Sequence, residues 1–130
     1  MTPIKLLNNN IDNTIKSSIL IIKGDNEMKI IKKYRFYKLH SDGGHSWLAV
    51  KRTELIEMGV LDKVTTFSYQ KGKTVYLEED CDLPLFVNAL KTKDITYTFN
   101  ESYRNNSPIR NYEHFNLTFN EIGLYRWIIK

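Results

Sequence analysis

The alternation of hydrophobic and polar positions first predicts strands. Residues 29–39, "KIIKKYRFYKL", are aromatic and β-branched, and they stop at the glycine-containing stretch "HSDGGHS", as a strand does before a loop. The segments "KVTTFSYQ" and "KTVYLEE" predict a hairpin around Gly72, with Phe67 and Tyr69 on its apolar face. "ITYTF" (95–99) predicts a last strand, because its apolar residues alternate with threonines.

Two other segments have helical spacing. In "KRTELIEMG" (51–59), Leu55 and Met58 share a face, and Gly59 lies where a glycine commonly ends a helix. The short apolar piece "WLAV" before it predicts extended chain. Asp82 can cap a second helix that runs to about Lys91, with a proline in its first turn.

The order strand, helix, hairpin, helix, strand predicts the fold class. It indicates an α+β domain with a small antiparallel sheet and two helices on one face. The order β-α-β-β-α-β is that of ferredoxin-like domains. We expect a single domain over residues 28–130, in which residues 115–130 form a C-terminal extension, either a tail or an extra edge strand.

Residues 1–27 differ from the rest of the chain, because they contain no aromatic residue. Met28 opens the regular pattern, and Lys23-Gly24-Asp25 can be encoded by a purine-rich ribosome-binding site at a suitable distance upstream. One hypothesis is that residues 1–27 are a translated leader and that synthesis starts at Met28. The alternative is an ordinary N-terminal extension that is flexible or adds a strand. Mass spectrometry of the N-terminal peptide from the natural source distinguishes them.

Composition narrows the class of protein. The chain has 130 residues, of which 42% are hydrophobic, so it can bury a core as one domain. It has no apolar run long enough to span a membrane, and no membrane partner is expected. The single cysteine excludes an internal disulfide and favours a reducing cytoplasm. The net charge of +4 permits nucleic-acid binding without requiring it.

The acidic stretch, residues 78–82, contains four carboxylates and the only cysteine, namely Glu78, Glu79, Asp80, Cys81 and Asp82. Three explanations are open: Asp80 and Asp82 cap the following helix, the cluster binds a hard divalent cation, or it forms an acidic patch for a basic partner. Cys81 is either a thiol activated near a helix N-terminus, with His45 as its base, or a small buried residue.

The loop stretch "HSDGGHSW" (40–47) is the second candidate site. Asp42 and His45, with Asp80, are candidate ligands for a divalent metal, although no cofactor is firmly expected. The alternative is a side-chain turn made by Asp42. In the expected fold the loop and the acidic stretch lie at the same end of the sheet. The candidate cluster is therefore Asp42, His45, Trp47, Glu79, Asp80, Cys81 and Asp82.

A third stretch, "SYRNNSPIRNY" (102–112), alternates cationic and aromatic groups. Arg104, Arg110 and Tyr112 are candidates for binding nucleic acid or another anion, together with basic residues of the first strand: Lys29, Lys32, Lys33 and Arg35. One alternative is a solvated polar loop. Another is that Arg104 or Arg110 folds back and pairs with the acidic stretch.

Four motifs in the order "SDGGHSWL", "SYQKG", "YLEEDCD" and "IRNY" resemble an uncharacterised family of short hypothetical proteins of bacteria, phages and plasmids. The resemblance covers about residues 34–115, and this chain has Gly43 where the family commonly has proline. The resemblance implies a mobile-element setting and no particular reaction. The motif residues correspond here to Asp42, Gly44, His45, Trp47, Tyr69, Gly72, the acidic stretch, Arg110 and Tyr112.

These observations favour a small accessory protein of a phage or mobile element that acts by binding rather than as an enzyme, and they leave enzymatic activity open. The expected partner is a host or defence protein, or nucleic acid. The alternative is a small metal-dependent hydrolase or nuclease that uses the Asp42 and His45 loop with the Glu78–Asp82 cluster, where a metal activates water. The oligomeric state is left open.

Overall fold

The computed structural model describes the backbone of residues 4–11, 14–23 and 27–117 and the side chains of residues 33–117. Two short 3₁₀ helices, Leu61–Lys63 and Pro108–Asn111, accompany the regular elements. The strands and helices are β1 (Ile4–Ile11), β2 (Thr14–Lys23), β3 (Glu27–Ser41), β4 (Ser46–Lys51), α1 (Arg52–Glu57), β5 (Tyr69–Lys71), β6 (Thr74–Glu78), α2 (Leu83–Thr92), β7 (Ile95–Tyr103) and β8 (Glu113–His114).

The sheet is built around the long strand β3. Six strands form a mixed sheet in the order β7-β3-β4-β6-β5-β8, in which β7 runs parallel to β3 and the other neighbours are antiparallel. β2 pairs with the first part of β3, and β1 pairs with β2. Because β4 takes over as the neighbour from Lys38 onward, β3 joins the two parts of the sheet.

The predicted α+β class with two helices is confirmed, but the predicted small antiparallel sheet is wrong. The sheet is larger and mixed, and the ferredoxin-like order is not confirmed. The difference arises at two points. The stretch "WLAV" belongs to a full strand, β4, that pairs directly with β3. The strand that the sequence predicted as the last one, β7, lies on the other side of β3 and parallel to it.

The hairpin at Gly72 is confirmed, since Lys71 pairs with Thr74 and Gly72 has a φ of +58°. Its first strand is shorter than predicted. Residues 65–68 form a turn, because the carboxylate of Asp82 accepts hydrogen bonds from Thr65 and Ser68. Phe67 is consequently 65% exposed, and its predicted place on an apolar face is wrong.

Several predictions concern the two ends of the chain. β1 and β2 show that residues 4–11 and 14–23 add strands to the sheet. Their pairing does not test whether synthesis starts at Met28, which stays a prediction. Residues 118–130 of the predicted C-terminal extension lie outside the described residues. No helix in the described ranges is long and apolar enough to cross a membrane.

One side of the sheet, the helical side, carries the core. Leu48 and Leu77 lie side by side in β4 and β6, and α1 and α2 cover them with residues such as Leu55, Phe86 and Leu90. A buried polar network lies among these apolar groups. Glu54 accepts hydrogen bonds from Arg35, at 2.6 Å, and from the Tyr37 hydroxyl. Arg35 also donates to Glu57 of α1 at 2.8 Å.

We expect the two glutamates of this network to differ in their contribution to stability. Glu54→Ala should lower the free energy of unfolding by about 3–5 kcal/mol, because it removes the buried partner of the Tyr37 hydroxyl and leaves the Arg35 guanidinium with the partly exposed Glu57 alone. Glu57→Ala should cost less than about 1 kcal/mol, because the Glu57 side chain is 45% exposed. Urea unfolding of both variants measures this, and equal losses would contradict it.

Candidate functional site

The other side of the sheet, the open side, is not covered by an α-helix in the described part of the chain. Strand register places two rows of side chains there: His40, Trp47 and Glu78 in one, and Lys38, Ala49, Tyr76, Tyr69 and His114 in the other. The 3₁₀ helix Pro108–Asn111 lies across this side, with Ile109 only 2% exposed. The candidate residues of both predicted motifs therefore meet on one surface.

An ion pair between Asp42 and Arg110 fixes the 3₁₀ helix to the loop between β3 and β4. Arg110 Nε lies 2.5 Å from Asp42 Oδ2, and Arg110 Nη2 lies 3.0 Å from Oδ1. Asp42 Oδ1 also accepts the backbone N–H groups of Gly44 and His45 at 2.9 Å, which confirms the predicted side-chain turn. Hydrogen bonds from Arg110 and then from Gly44 hold the pKa of Asp42 well below its ordinary value.

Gly44 permits the close approach of the guanidinium. A Cβ atom at this position would lie 3.2 Å from Arg110 Nη2. The central carbon of this guanidinium, Arg110 Cζ, lies 5.4 Å from the centroid of the Trp47 ring, within the range of a cation–π contact. Arg110 therefore pairs with Asp42 rather than with the acidic stretch, and Trp47 supports its face.

The loop and the acidic stretch are neighbours, which the expected fold suggested, although the order of the strands differs from that fold. His45 Nδ1 lies 3.5 Å from Glu78 Oε1, and the backbone N–H of Glu79 donates to Ser46 O at 3.0 Å. Asp80 and Cys81 line the same cleft as His45. Asp42 belongs to the neighbouring turn, where its carboxylate is engaged by Arg110.

Two carboxylates of the acidic stretch, those of Glu78 and Asp82, accept hydrogen bonds from nearby groups of the protein. Glu78 Oε2 accepts the backbone N–H groups of Asp80 and Cys81 at 2.9 Å. Asp82 is 1% exposed and accepts from Thr65 and from Ser68, the latter at 2.5 Å. Asp82 occupies the N-cap position of α2, but the predicted side-chain cap is wrong because its oxygens bond to the 65–68 turn instead.

The predicted metal ligands do not assemble as a set. Among the described residues, the ligand atoms that come within 4.8 Å of one another belong to His45, Glu78 and Glu79, and not to Asp42 and Asp80. One Glu78 oxygen already accepts two backbone N–H groups. Asp42 has its carboxylate in a bidentate ion pair. Within this set, the arrangement leaves a metal the carboxylate of Glu79 and only one oxygen of Glu78, Oε1.

Cys81 is exposed, which makes the prediction of a buried cysteine wrong. A hydrogen bond to Glu78, with burial and the neighbouring carboxylates as lesser causes, raises the pKa of its thiol. Nucleophilic chemistry needs the thiolate, so this environment disfavours the alternative of an activated cysteine.

An edge cleft of about 320 Å³ lies where the two motifs meet. Its lining contains two residues, Phe67 and His114, that the sequence did not indicate as candidates for the site. β8 places His114 opposite Tyr69, with ring centroids 4.7 Å apart. The full lining is His45, Trp47, Phe67, Tyr69, Glu78, Asp80, Cys81, Arg110 and His114.

Trp47 forms a buried part of this lining and is 2% exposed. Its Nε1–H has no hydrogen-bond partner among the residues whose side chains are described. An unpaired buried donor costs about 1–3 kcal/mol, and such costs are commonly tolerated at functional sites.

A second hollow, the open-face groove, lies on the other flank of the 3₁₀ helix. It consists of two adjoining cavities of about 310 and 230 Å³ that share Lys38, His40 and Tyr76. Arg104 and Tyr112, two of the predicted anion-binding residues, line it. None of the described residues that line these two cavities is acidic. Burial, and then Lys38, lower the pKa of His40, which favours its neutral form.

The basic first strand contributes less to this groove than the sequence suggested. Arg35 points to the helical side, where it is paired with Glu54 and Glu57. Lys33 shares that side, because it lies beside Ile95. The side chains of Lys29 and Lys32 lie outside the described ones. Alternation along β3 could have identified Lys38 and His40 as a pair on one face, but not which face stays open.

Comparison with known proteins gives no match: no protein-family model, no curated protein and no solved structure is significantly similar to this chain. The inference about function therefore depends on the geometry of the cleft and the groove.

We expect the Asp42–Arg110 pair to make stability depend on pH in the acid range. Because the pKa of Asp42 is lowered on folding, its carboxylate stabilises the fold above its ordinary pKa of about 3.9. This contribution should be lost progressively as the pH falls below about 4. Asp42→Asn, whose amide oxygen can still hold the turn, should lack it at every pH.

Urea unfolding between pH 7 and pH 2 tests this expectation. The difference between wild type and Asp42→Asn should be constant above about pH 5 and shrink below pH 4. Asp62→Asn, at an exposed site in the first 3₁₀ helix, is the control. A difference that stays constant to pH 2 would refute the role of the carboxylate.

We also expect Cys81 to react slowly in spite of its exposure. Iodoacetamide at pH 7.5, roughly one unit below the ordinary thiol pKa, should alkylate the folded protein several-fold more slowly than the same chain in urea, because the raised pKa leaves less thiolate. Mass spectrometry gives both rates. A faster reaction in the folded protein would show that the thiol is activated.

Proposed function

We propose that this protein acts by binding rather than by catalysis, and that its ligand is single-stranded nucleic acid lying in the open-face groove. The observation that carries this proposal is the lining of the groove, which joins half-buried aromatic rings to exposed cations without an acidic residue among the described ones. Proteins that bind single strands combine these two features, because bases stack on rings while cations follow the phosphates.

The rings form a connected series along the groove. His40 and Tyr76 have centroids 5.8 Å apart, and Tyr76 and Tyr112 have centroids 5.3 Å apart. Each of the three rings is only half buried, so part of each remains available for stacking. Base–aromatic stacking contributes about 1–3 kcal/mol per base and depends little on sequence.

The cations are placed beside the rings. Lys38 and Arg104 line the groove and are exposed, and the Lys71 ammonium lies 4.7 Å from the centroid of the Tyr112 ring. These three groups can contact phosphates, which supply most of the non-specific affinity of such proteins. Residues 33–117 contain twelve basic and eleven acidic residues, so the local placement of charge, rather than the net charge, supports the proposal.

The contacts favour nucleic acid over a basic protein partner. A basic protein partner would need the acidic stretch as an exposed surface patch. Glu78 and Asp82, however, are only 7% and 1% exposed, and their carboxylates accept hydrogen bonds within the protein. A metal-dependent hydrolase or nuclease has less support, because in the described part of the chain only His45, Glu78 and Glu79 of its expected residues come together and one Glu78 oxygen already accepts two backbone N–H groups. The resemblance of the motifs supports the proposal of an accessory protein of a phage or mobile element.

We expect the full-length protein to bind fluorescent 12-nucleotide dT and rU strands, as measured by fluorescence anisotropy. With three phosphate contacts, the logarithm of the affinity should fall against the logarithm of the salt concentration with a slope of about −2. The double variant Lys38→Glu, Arg104→Glu should weaken binding at least about tenfold, because it places two negative charges beside the phosphates.

The matched control is Lys63→Glu, Lys93→Glu, which makes the same change of charge at exposed residues beside a cavity between the helices. It should keep most of the affinity. Equal losses in both variants would show that only net charge matters, and absence of binding by the wild type would refute the proposal. A third outcome is that the protein binds a host or defence protein instead of the oligonucleotide. If only the groove variant loses that binding, the groove is the site for the protein partner.

A further inference from the structure

We propose that the edge cleft recognises one unpaired guanine base of the strand that the groove binds. This inference deepens the proposed function and rests on it. The cleft and the groove lie on the same side of the sheet, separated by the 3₁₀ helix. Pro108 and Ile109 line the groove, whereas Arg110 lines the cleft. A strand that follows the groove would therefore bring a neighbouring base to the cleft.

The cleft offers rings against which a planar base can stack. Tyr69 and His114 form a stacked pair at an interplanar angle of 27°, and Phe67 is 65% exposed. A flat ligand that covers the exposed Phe67 ring would remove apolar surface from water, which favours binding. The volume of about 320 Å³ is near the lower end of the range for ligand pockets, roughly 300–1,000 Å³, which suits one base.

Arg110 supplies hydrogen-bond donors in a fixed plane. An arginine has five N–H donors, and the pair with Asp42 uses one on Nε and one on Nη2. The side chain is 46% exposed, so the remaining donors are open to a ligand. Because Asp42 and the Trp47 ring hold the guanidinium in position, little side-chain entropy is lost when a ligand binds.

Glu78 and Asp80 supply acceptors in the same lining. Glu78 Oε2 is used by two backbone N–H groups, whereas Oε1 has His45 at 3.5 Å, and Asp80 is exposed. Guanine has two neighbouring acceptors, O6 and N7, that match a guanidinium, and two neighbouring donors, N1–H and N2–H, that match a carboxylate. The other bases do not combine both pairs.

The carboxylates also indicate which part of a nucleotide enters. Glu78 and Asp80 would repel a phosphate, whereas the groove has no acidic residue in its described lining. We therefore assign the phosphates to the groove and the base to the cleft.

Uncharged nucleosides test the cleft without the groove. Titration of guanosine, adenosine, cytidine and uridine into the ¹⁵N-labelled full-length protein should shift the Trp47 indole N–H resonance, which is identified with Trp47→Phe. Guanosine should bind at least about tenfold more tightly than the others, the discrimination expected of one good bidentate pair. Asp80→Asn should weaken guanosine binding several-fold, at an exposed residue whose carboxylate makes no hydrogen bond to the other described residues. Glu78→Gln should also weaken it several-fold.

The groove variant Lys38→Glu, Arg104→Glu is the matched control and should bind guanosine as the wild type does. A single dG placed in the 12-nucleotide dT strand should raise the affinity of the wild type but not that of Asp80→Asn. Equal shifts with all four nucleosides, or none with guanosine while dT binding persists, would overturn the inference alone. Guanosine binding without any binding of dT or rU strands would support the cleft and overturn the groove.

Discussion

The ion pair between Asp42 and Arg110 is the interaction on which the functional surface depends. It joins two segments that are 68 residues apart, and it holds the 3₁₀ helix Pro108–Asn111 against the open side of the sheet. The same carboxylate closes the loop between β3 and β4. One buried acid therefore sets both the shape of the loop that carries His45 and the boundary between the cleft and the groove.

The two sides of the sheet use charge in different ways. On the helical side, Arg35 is buried with Glu54 and is unavailable to any ligand. On the open side, Lys38 and Arg104 are exposed next to half-buried rings. The acidic stretch follows the first pattern at two positions, since Glu78 and Asp82 satisfy backbone and hydroxyl donors. The concentration of carboxylates in the sequence thus stabilises the junction between β6 and α2.

The cleft and the groove have complementary chemistry. The groove suits a polyanion because its described lining has cations and rings without acids, and the cleft suits a neutral, flat group because it combines carboxylates with one held guanidinium. Only a single turn of chain separates them, so one ligand that occupies both would make two different kinds of contact. The groove would set affinity, and the cleft would set specificity.

The sequence by itself determined the elements whose signals are local. The periodicities of β3, α1, α2 and β7, the glycine turn at Gly72 and the side-chain turn at Asp42 depend on residues within a few positions of one another. The expected fold only suggested that the loop with His45 lies near the acidic stretch, and the tertiary structure decided that they meet. Only the tertiary structure decided that β7 lies parallel to β3, that Arg110 pairs with Asp42, that Asp82 turns Phe67 outward and that Tyr69 lies beside His114. Alternation along a strand defines two faces, but which face the helices cover depends on contacts between segments distant in the chain. Those contacts depend on the free energy of the whole fold, and they produce no periodic pattern in the sequence.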